Sequence, residues 1–292
     1  MKAAAAIEAA ISAAIATDFR IANSRAVGGG CINQAYVIEG SGRRYFVKTN
    51  RVALADMFAA EAQGLAELES AQALRVPHPL ATGIAGNEAF LVLEYLPLTG
   101  RGSFADMGRR LARQHRKTAD RFGWTRANAI GSTPQINTWT RDWLGFWRVH
   151  RLEFQLQLAA SHGHAGKLQR LGEGLLSRLE AFFPGHTPQP SLLHGDLWGG
   201  NAAFTDAGEA VVLDPAVYYG DREADLAMTE LFGGFGEDFY AAYREAWPLD
   251  PGYATRKTLY NLYHILNHAN LFGGGYASQA ELMMLRLLAE VR

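Results

Sequence analysis

The run His194-Gly195-Asp196-Leu197-Trp198-Gly199-Gly200-Asn201, followed by Asp214 behind the apolar segment Val211-Val212-Leu213, limits what this chain folds into more than any other feature. Two short apolar segments, Ser191 to Leu193 and Ala210 to Leu213, read as strands that flank a loop carrying both Asp196 and Asn201. Such a loop keeps one shape only when packed elements position it. Upstream, Lys48 ends a strand that follows Gly28-Gly29-Gly30, and Glu61 lies on the next helix.

The pattern along the chain divides near Leu96. Residues 1–96 read as a small, mostly β lobe: strands at Phe19 to Ala26, Gln34 to Glu39 and Arg43 to Thr49, a helix from Leu54 to Gln72, a loop at Val76-Pro77-His78-Pro79 and an apolar strand at Ala89 to Tyr95. Residues 97–292 read as a larger, mostly helical lobe, with helices at 103–118, 138–159, 164–183, 223–231, 235–246, 254–272 and 277–291. The expected class is α+β, in two lobes. Phe58, Ala62, Leu65 and Leu68 share one face of the 54–72 helix, and Glu61 lies on that face too. A carboxylate on a core-facing stripe needs a partner, because an unpaired buried charge is costly. The alanine-rich start resembles a signal peptide, but Glu8 interrupts it and Ile7, Ile11 and Ile15 form one stripe, which favours a packed helix.

Phosphoryl transfer uses this set of residues in this order. A glycine turn lets backbone amides approach phosphate, a lysine offsets phosphate charge, and a glutamate holds that lysine. One aspartate accepts the proton of the attacking hydroxyl, while an asparagine and a second aspartate hold magnesium. Lys48, Glu61, Asp196, Asn201 and Asp214 fill these places, which predicts a protein-kinase-like fold using ATP and Mg2+. Only Ala216 to Gly220 separate Asp214-Pro215 from the acidic start Asp221-Arg222-Glu223, so no long activation segment is present. That favours a small-molecule acceptor over a peptide hydroxyl.

Four stretches resemble the fructosamine kinase (ketosamine 3-kinase) family: Gly28 to Asn33, Gly131-Ser132-Thr133-Pro134-Gln135-Ile136-Asn137-Thr138-Trp139, the His194 to Asn201 loop, and Asp214 to Glu223. The resemblance implies ATP-dependent phosphorylation of the 3-hydroxyl of fructosamines or ribulosamines, after which the adduct decomposes and frees its amine. It also implies an adenine-binding hinge at Glu94-Tyr95-Leu96.

Other readings stay open at this level. Trp198, Tyr218 and Asp221 are candidate substrate contacts, since carboxylates and aromatic faces suit a cationic sugar-amine; a charged helix start accounts for Asp221 and Asp225 equally well. His194 reads as structural, and His264 and His268 lack a third metal ligand. Trp139, Trp143, Phe146 and Trp147 read as helix core. An aminoglycoside or amino-alcohol kinase, and a non-catalytic nucleotide-binding module, are the competing functions. The net charge of -1 gives no reason to expect nucleic acid or acidic membrane as partner. The single cysteine, Cys31, suits a reducing, cytoplasmic setting and leaves a monomer or a homodimer linked through Cys31, a candidate redox site beside the glycine loop.

Overall fold

The computed structural model describes residues 3–28, 33–98 and 100–291. Two compact units result: Met1–Gly102 with Ala203–Pro215, and Ser103–Ala202 with Ala216–Arg292.

The first unit is built on a five-stranded antiparallel sheet in the order β1-β2-β3-β5-β4. Its strands are β1 (Asn23–Val27), β2 (Gln34–Gly40), β3 (Arg43–Arg51), β4 (Pro79–Ala85) and β5 (Glu88–Glu94). Helix α1 (Ala4–Ile15) sets Ile7 and Ile11 into a core with Phe19, Ile38, Tyr45, Val47, Phe90 and Val92. Glu8 accepts the Ile21 N–H at 2.8 Å, so the charge in this alanine-rich helix ties it to the chain that follows. The first strand starts later than its sequence suggests because Phe19 is a fully buried anchor rather than a strand residue. Side chains alternate along β3, so Lys48, next to core residue Val47, points to the other face. Helix α2 (Ala55–Glu69) buries Phe58, Leu65 and Leu68. β4 begins at Pro79, inside the segment expected to be a loop. A proline is admissible there because β4 is an edge strand with a register irregularity between Pro79 and Ala81. The segment Ala203–Pro215 completes the unit: Ala210 accepts from the Arg75 N–H at 3.1 Å, and the Val212 N–H donates to Arg75 at 2.9 Å.

The second unit is mostly helical. Helix α3 (Phe104–His115) starts at Ser103, whose hydroxyl caps the Asp106 N–H. The helix expected over 138–159 instead starts at α4 (Trp143–Trp147), where Asp142 accepts from the Leu144 and Gly145 amides. It then widens into a π-helical stretch, Arg148–Glu153, before α5 (Phe154–Ser161). The 164–183 region holds α6 (Lys167–Leu176) and a separate 3-10 turn at Leu179–Phe182. Next come α7 (Glu223–Leu231), α8 (Glu237–Ala246), α9 (Tyr253–Phe272) and α10 (Tyr276–Glu290). α9 is the spine, with eleven buried residues from Arg256 to Ala269. Among the described residues no helix is long and apolar enough to cross a membrane.

Candidate active site

In the first unit, Lys48 Nζ lies 2.6 Å from Glu61 Oε1 and 2.5 Å from Asp214 Oδ1. This is the partner that the core-facing position of Glu61 requires. Burial alone lowers the affinity of an ammonium for its proton, but the two carboxylates outweigh it, so the Lys48 pKa is raised and the side chain stays charged. Burial raises the Glu61 carboxyl, with the charge of Asp214 adding to it against the pull of Lys48. Asp214 has φ of 54°, left-handed backbone that non-glycine residues seldom adopt, and its side chain is 56% exposed. A strained, exposed carboxylate beside a fixed ammonium is equipped to meet a ligand. The carboxylate of Glu94 is bound by Arg75, its N–H donates to His78 at 2.9 Å, and the Arg44 guanidinium lies 4.4 Å over the Tyr95 ring. Leu96 is half-buried and Gly28 is exposed. Gly29, Gly30 and Cys31 lie outside the described residues.

In the second unit, the loop around Asp196 is held from beneath by Asp225 of α7. Its Oδ2 accepts the His194 N–H at 2.7 Å and its Oδ1 accepts the Gly195 N–H at 2.8 Å. His115 Nε2 adds a third contact at 3.2 Å and bonds Tyr243 through Nδ1 at 2.8 Å. Burial penalises the Asp225 charge, but these donors outweigh it and hold its pKa below the ordinary aspartate value. Gly195 has φ of 83°, and a Cβ there would meet the Ala216 carbonyl oxygen at 2.0 Å. The Asp196 N–H donates to His194 Nδ1 at 3.2 Å, the structural role expected for His194. Asn201 spends its amide nitrogen on Asp196, donating to the backbone oxygen at 2.9 Å and to Oδ2 at 3.3 Å. Its carbonyl oxygen is thereby set apart as the hard donor that a divalent cation prefers. Trp198 is 40% exposed, and its ring lies over Gly200, where a Cβ would meet it at 2.3 Å.

The Thr133 to Asn137 segment supports the chain just beyond Asp214. Gln135 donates to the Ala216 carbonyl at 2.9 Å and accepts the Tyr263 hydroxyl at 2.9 Å. Asn137 accepts from Arg151 at 2.8 Å. Arg151, fully buried in the π-helical stretch, also lies 4.3 Å over the Tyr218 ring. Neither Arg151 nor the anchoring role of Asp225 and His115 is foreseen by motif.

Two expected substrate contacts are corrected. Tyr218 is buried, stacked on Phe146 at 5.8 Å, and has no face left for a sugar. Asp221 is buried and satisfied: it accepts from Tyr260 at 2.6 Å and from the Glu223 N–H at 3.0 Å, and pairs with His186 at 2.7 Å. Burial disfavours its charge, yet His186 foremost among its partners holds its pKa low. Glu223 is likewise taken by Arg256, at 2.7 and 2.9 Å. His186, Glu223 and Asp250 lie close enough to suggest a metal site, but both nitrogens of His186 are engaged by carboxylates, Asp221 and Asp250, each at 2.7 Å. That is an ion-paired imidazolium, not a ligand. His268 Nδ1 donates to the His264 carbonyl at 2.7 Å, and no metal cluster forms there among the described residues.

The profile of the fructosamine kinase family matches residues 3–290. A Synechocystis sp. protein described as a probable ketoamine kinase is 47% identical over 95% of this chain and 94% of its own length. The chloroplastic protein-ribulosamine 3-kinase of Arabidopsis thaliana is 44% identical over 87% of this chain and 79% of its own. Among solved structures, a candidate fructosamine-3-kinase from Haemophilus somnus matches 97% of this chain and 96% of its own with a TM-score of 0.89 and 29% identity. The choline kinase LicA of Streptococcus pneumoniae matches 98% of both chains at a TM-score of 0.68 and 14% identity, which shows a shared kinase-like fold.

Proposed function

Because the chain belongs to the fructosamine kinase family, we propose that it transfers the γ-phosphoryl group of ATP to the 3-hydroxyl of a ketosamine, a ketose carried on an amine. The observation that carries the reading is the pair of preset groups: Lys48 charged between Glu61 and Asp214, and Asp196 in a loop fixed by Asp225. Asp196 takes the proton of the attacking hydroxyl as its oxygen bonds the γ-phosphorus, and the bond from that phosphorus to the β-γ bridging oxygen breaks, releasing ADP. Lys48 holds phosphate oxygens. Tyr95 and Leu96 offer their backbone to adenine, with Glu94 fixing the start of that segment through Arg75. Gly28 begins the glycine run whose backbone amides would face phosphate. Asn201 and Asp214 each supply an oxygen that suits magnesium, which when bound offsets phosphate charge. Trp198, exposed inside the loop, supplies a face for the sugar.

The test is ATP consumption with fructosyl-lysine and ribulosyl-lysine side by side, with kanamycin and choline alongside. Phosphorylation of a ketosamine, lost in Asp196→Asn and on chelation of magnesium, is the expected outcome. Turnover of kanamycin or choline alone would replace this function with the amino-alcohol reading. No turnover of any acceptor, with nucleotide still bound, would favour the non-catalytic module.

A further inference from the structure

The segment expected to receive adenine, Glu94 to Leu96, is fastened at both ends to one stretch of chain, and that stretch leads to Asp214. All of these residues belong to the first unit. At the near end, Arg75 Nη2 donates to both carboxylate oxygens of Glu94, and Nη1 donates to the Val76 carbonyl at 2.7 Å, which fixes the plane of the guanidinium. The backbone of the same arginine bonds the strand Ala210–Val212: its N–H donates to Ala210 at 3.1 Å, and its carbonyl accepts from Val212 at 2.9 Å. One residue, Leu213, separates that strand from Asp214. At the far end, Pro97, directly after Leu96, accepts the Asp206 N–H at 3.0 Å.

Leu74 and Val76, on either side of Arg75, are buried, and so are Ala210, Val211 and Val212. In close packing the Arg75 backbone cannot shift without moving the strand, and its guanidinium cannot shift without moving Glu94. The ion pair is part-exposed, with side chains 27% and 36% open to solvent, so its worth lies in the geometry it imposes rather than in its own strength. A second route closes the ring. Asp214 meets Lys48, Lys48 meets Glu61, and Glu61 stands about two turns before Glu69 on α2. Glu69 Oε2 lies 2.9 Å from His78 Nδ1. The His78 N–H donates to Glu94 Oε2 at 3.2 Å, and its carbonyl accepts the Glu94 N–H at 2.9 Å.

We propose, resting on the nucleotide part of the reading above, that Arg75 is a positioning residue that couples the adenine segment to Asp214, so that the two ends of MgATP bind cooperatively. Arg75 acts through Glu94 on one side and through the Ala210–Val212 strand on the other. Adenine seated on Tyr95 and Leu96 fixes Glu94, Glu94 fixes Arg75, and Arg75 holds the strand that presents Asp214. A ligand that occupies both ends meets groups already in register, and their ordering is needed once rather than twice. A ligand that occupies one end draws no such benefit. Coupling of this kind typically changes affinity about 5–150-fold.

The experiment measures dissociation constants with no acceptor present for three ligands: MgATP, AMP and magnesium tripolyphosphate, the last two by displacement of MgATP. AMP offers the adenine end alone, and tripolyphosphate the phosphate and metal end alone. The readout is the loss of MgATP affinity beyond that of the worse-affected half-ligand. Arg75→Leu should show an extra loss of about tenfold, with each half-ligand within about threefold of wild type. Arg75→Lys, which keeps a cation beside Glu94 and both backbone bonds, should recover most of it. Glu94→Gln, cut from the other side of the same contact, should show the same pattern, and it carries the test where Arg75→Leu does not fold. An extra loss below about threefold in the variants that fold overturns the coupling, as does a loss that AMP or tripolyphosphate shares in full, which is local damage. Failure of the wild type to bind MgATP refutes the nucleotide reading, and the coupling falls with it. Absence of ketosamine turnover leaves the comparison intact, because no acceptor takes part.

Discussion

Replacing Asp225 by asparagine tests how the catalytic loop is held. The carboxylate accepts the His194 and Gly195 amides at 2.7 and 2.8 Å, one on each oxygen, with His115 sharing the first. An amide of the same shape has one accepting oxygen, so one buried N–H must face a donor. A lost hydrogen bond to a charged group is worth about 1.5–3 kcal/mol, and an orphaned buried donor costs about 1–3 kcal/mol more. The expected destabilisation is about 3–5 kcal/mol, large beside the typical stability of a domain. All six tryptophans, at positions 124, 139, 143, 147, 198 and 247, belong to the second unit, so intrinsic fluorescence in urea reports on that unit alone. Activity is read in parallel, and kcat should fall at least tenfold as Asp196 loses its fixed position. His115→Phe keeps both amide bonds and should cost about 1–2 kcal/mol. A stability within 1 kcal/mol of wild type for Asp225→Asn, with kcat within threefold, would refute the anchoring argument. So would His115→Phe proving the more damaging of the two.

Lys48→Met leaves Glu61 and Asp214 without their shared cation, and kcat/KM for ATP should fall about a hundredfold or more in steady-state assays. Gly195→Ala puts a methyl carbon 2.0 Å from the Ala216 oxygen in backbone that alanine rarely adopts, so thermal unfolding should shift down and kcat should drop together. His264 is buried with its pKa pushed down to about 3, chiefly by burial and then by His268. The unfolded chain binds the proton that the folded one refuses, so stability is full above about pH 6.5 and declines as pH falls toward 3. Urea titrations across that range should show the decline flatten in His264→Phe. His186 has the opposite sign: burial opposes its charge, but Asp221 outweighs burial and raises its pKa, so its contribution is present below about pH 6.5 and lost as pH rises through the folded value. His186→Asn should flatten the alkaline limb of the same curve.

The Lys48–Glu61 contact was legible because a carboxylate on an apolar helix stripe must find a cation, and the strand before it ends in one. The order of Asp196, Asn201 and Asp214 was legible because the chemistry places them in one sequence. The edge strand at Pro79 was not, since a proline only becomes admissible once strand order is known. Asp225 and Asp221 read alike in sequence, as acids opening a helix, and only packing separates a residue that pins backbone amides from one that pairs with His186. Arg151 escaped because a π-helical stretch shifts which residue faces inward, and helical periodicity carries no mark of that shift.

The return of Ala203–Pro215 to the first unit has a consequence for synthesis on the ribosome. Until residue 215 has emerged, Lys48 has one carboxylate instead of two, and the backbone of Arg75 lacks the strand it bonds. The small unit is therefore finished only after about a hundred residues of the other have left the tunnel, a long-range closure that slows folding and leaves apolar edges exposed meanwhile. A stretch ending at Gly102 is an intermediate awaiting its last strand, and cutting the chain there would yield a fragment that lacks Asp214 as well as that strand.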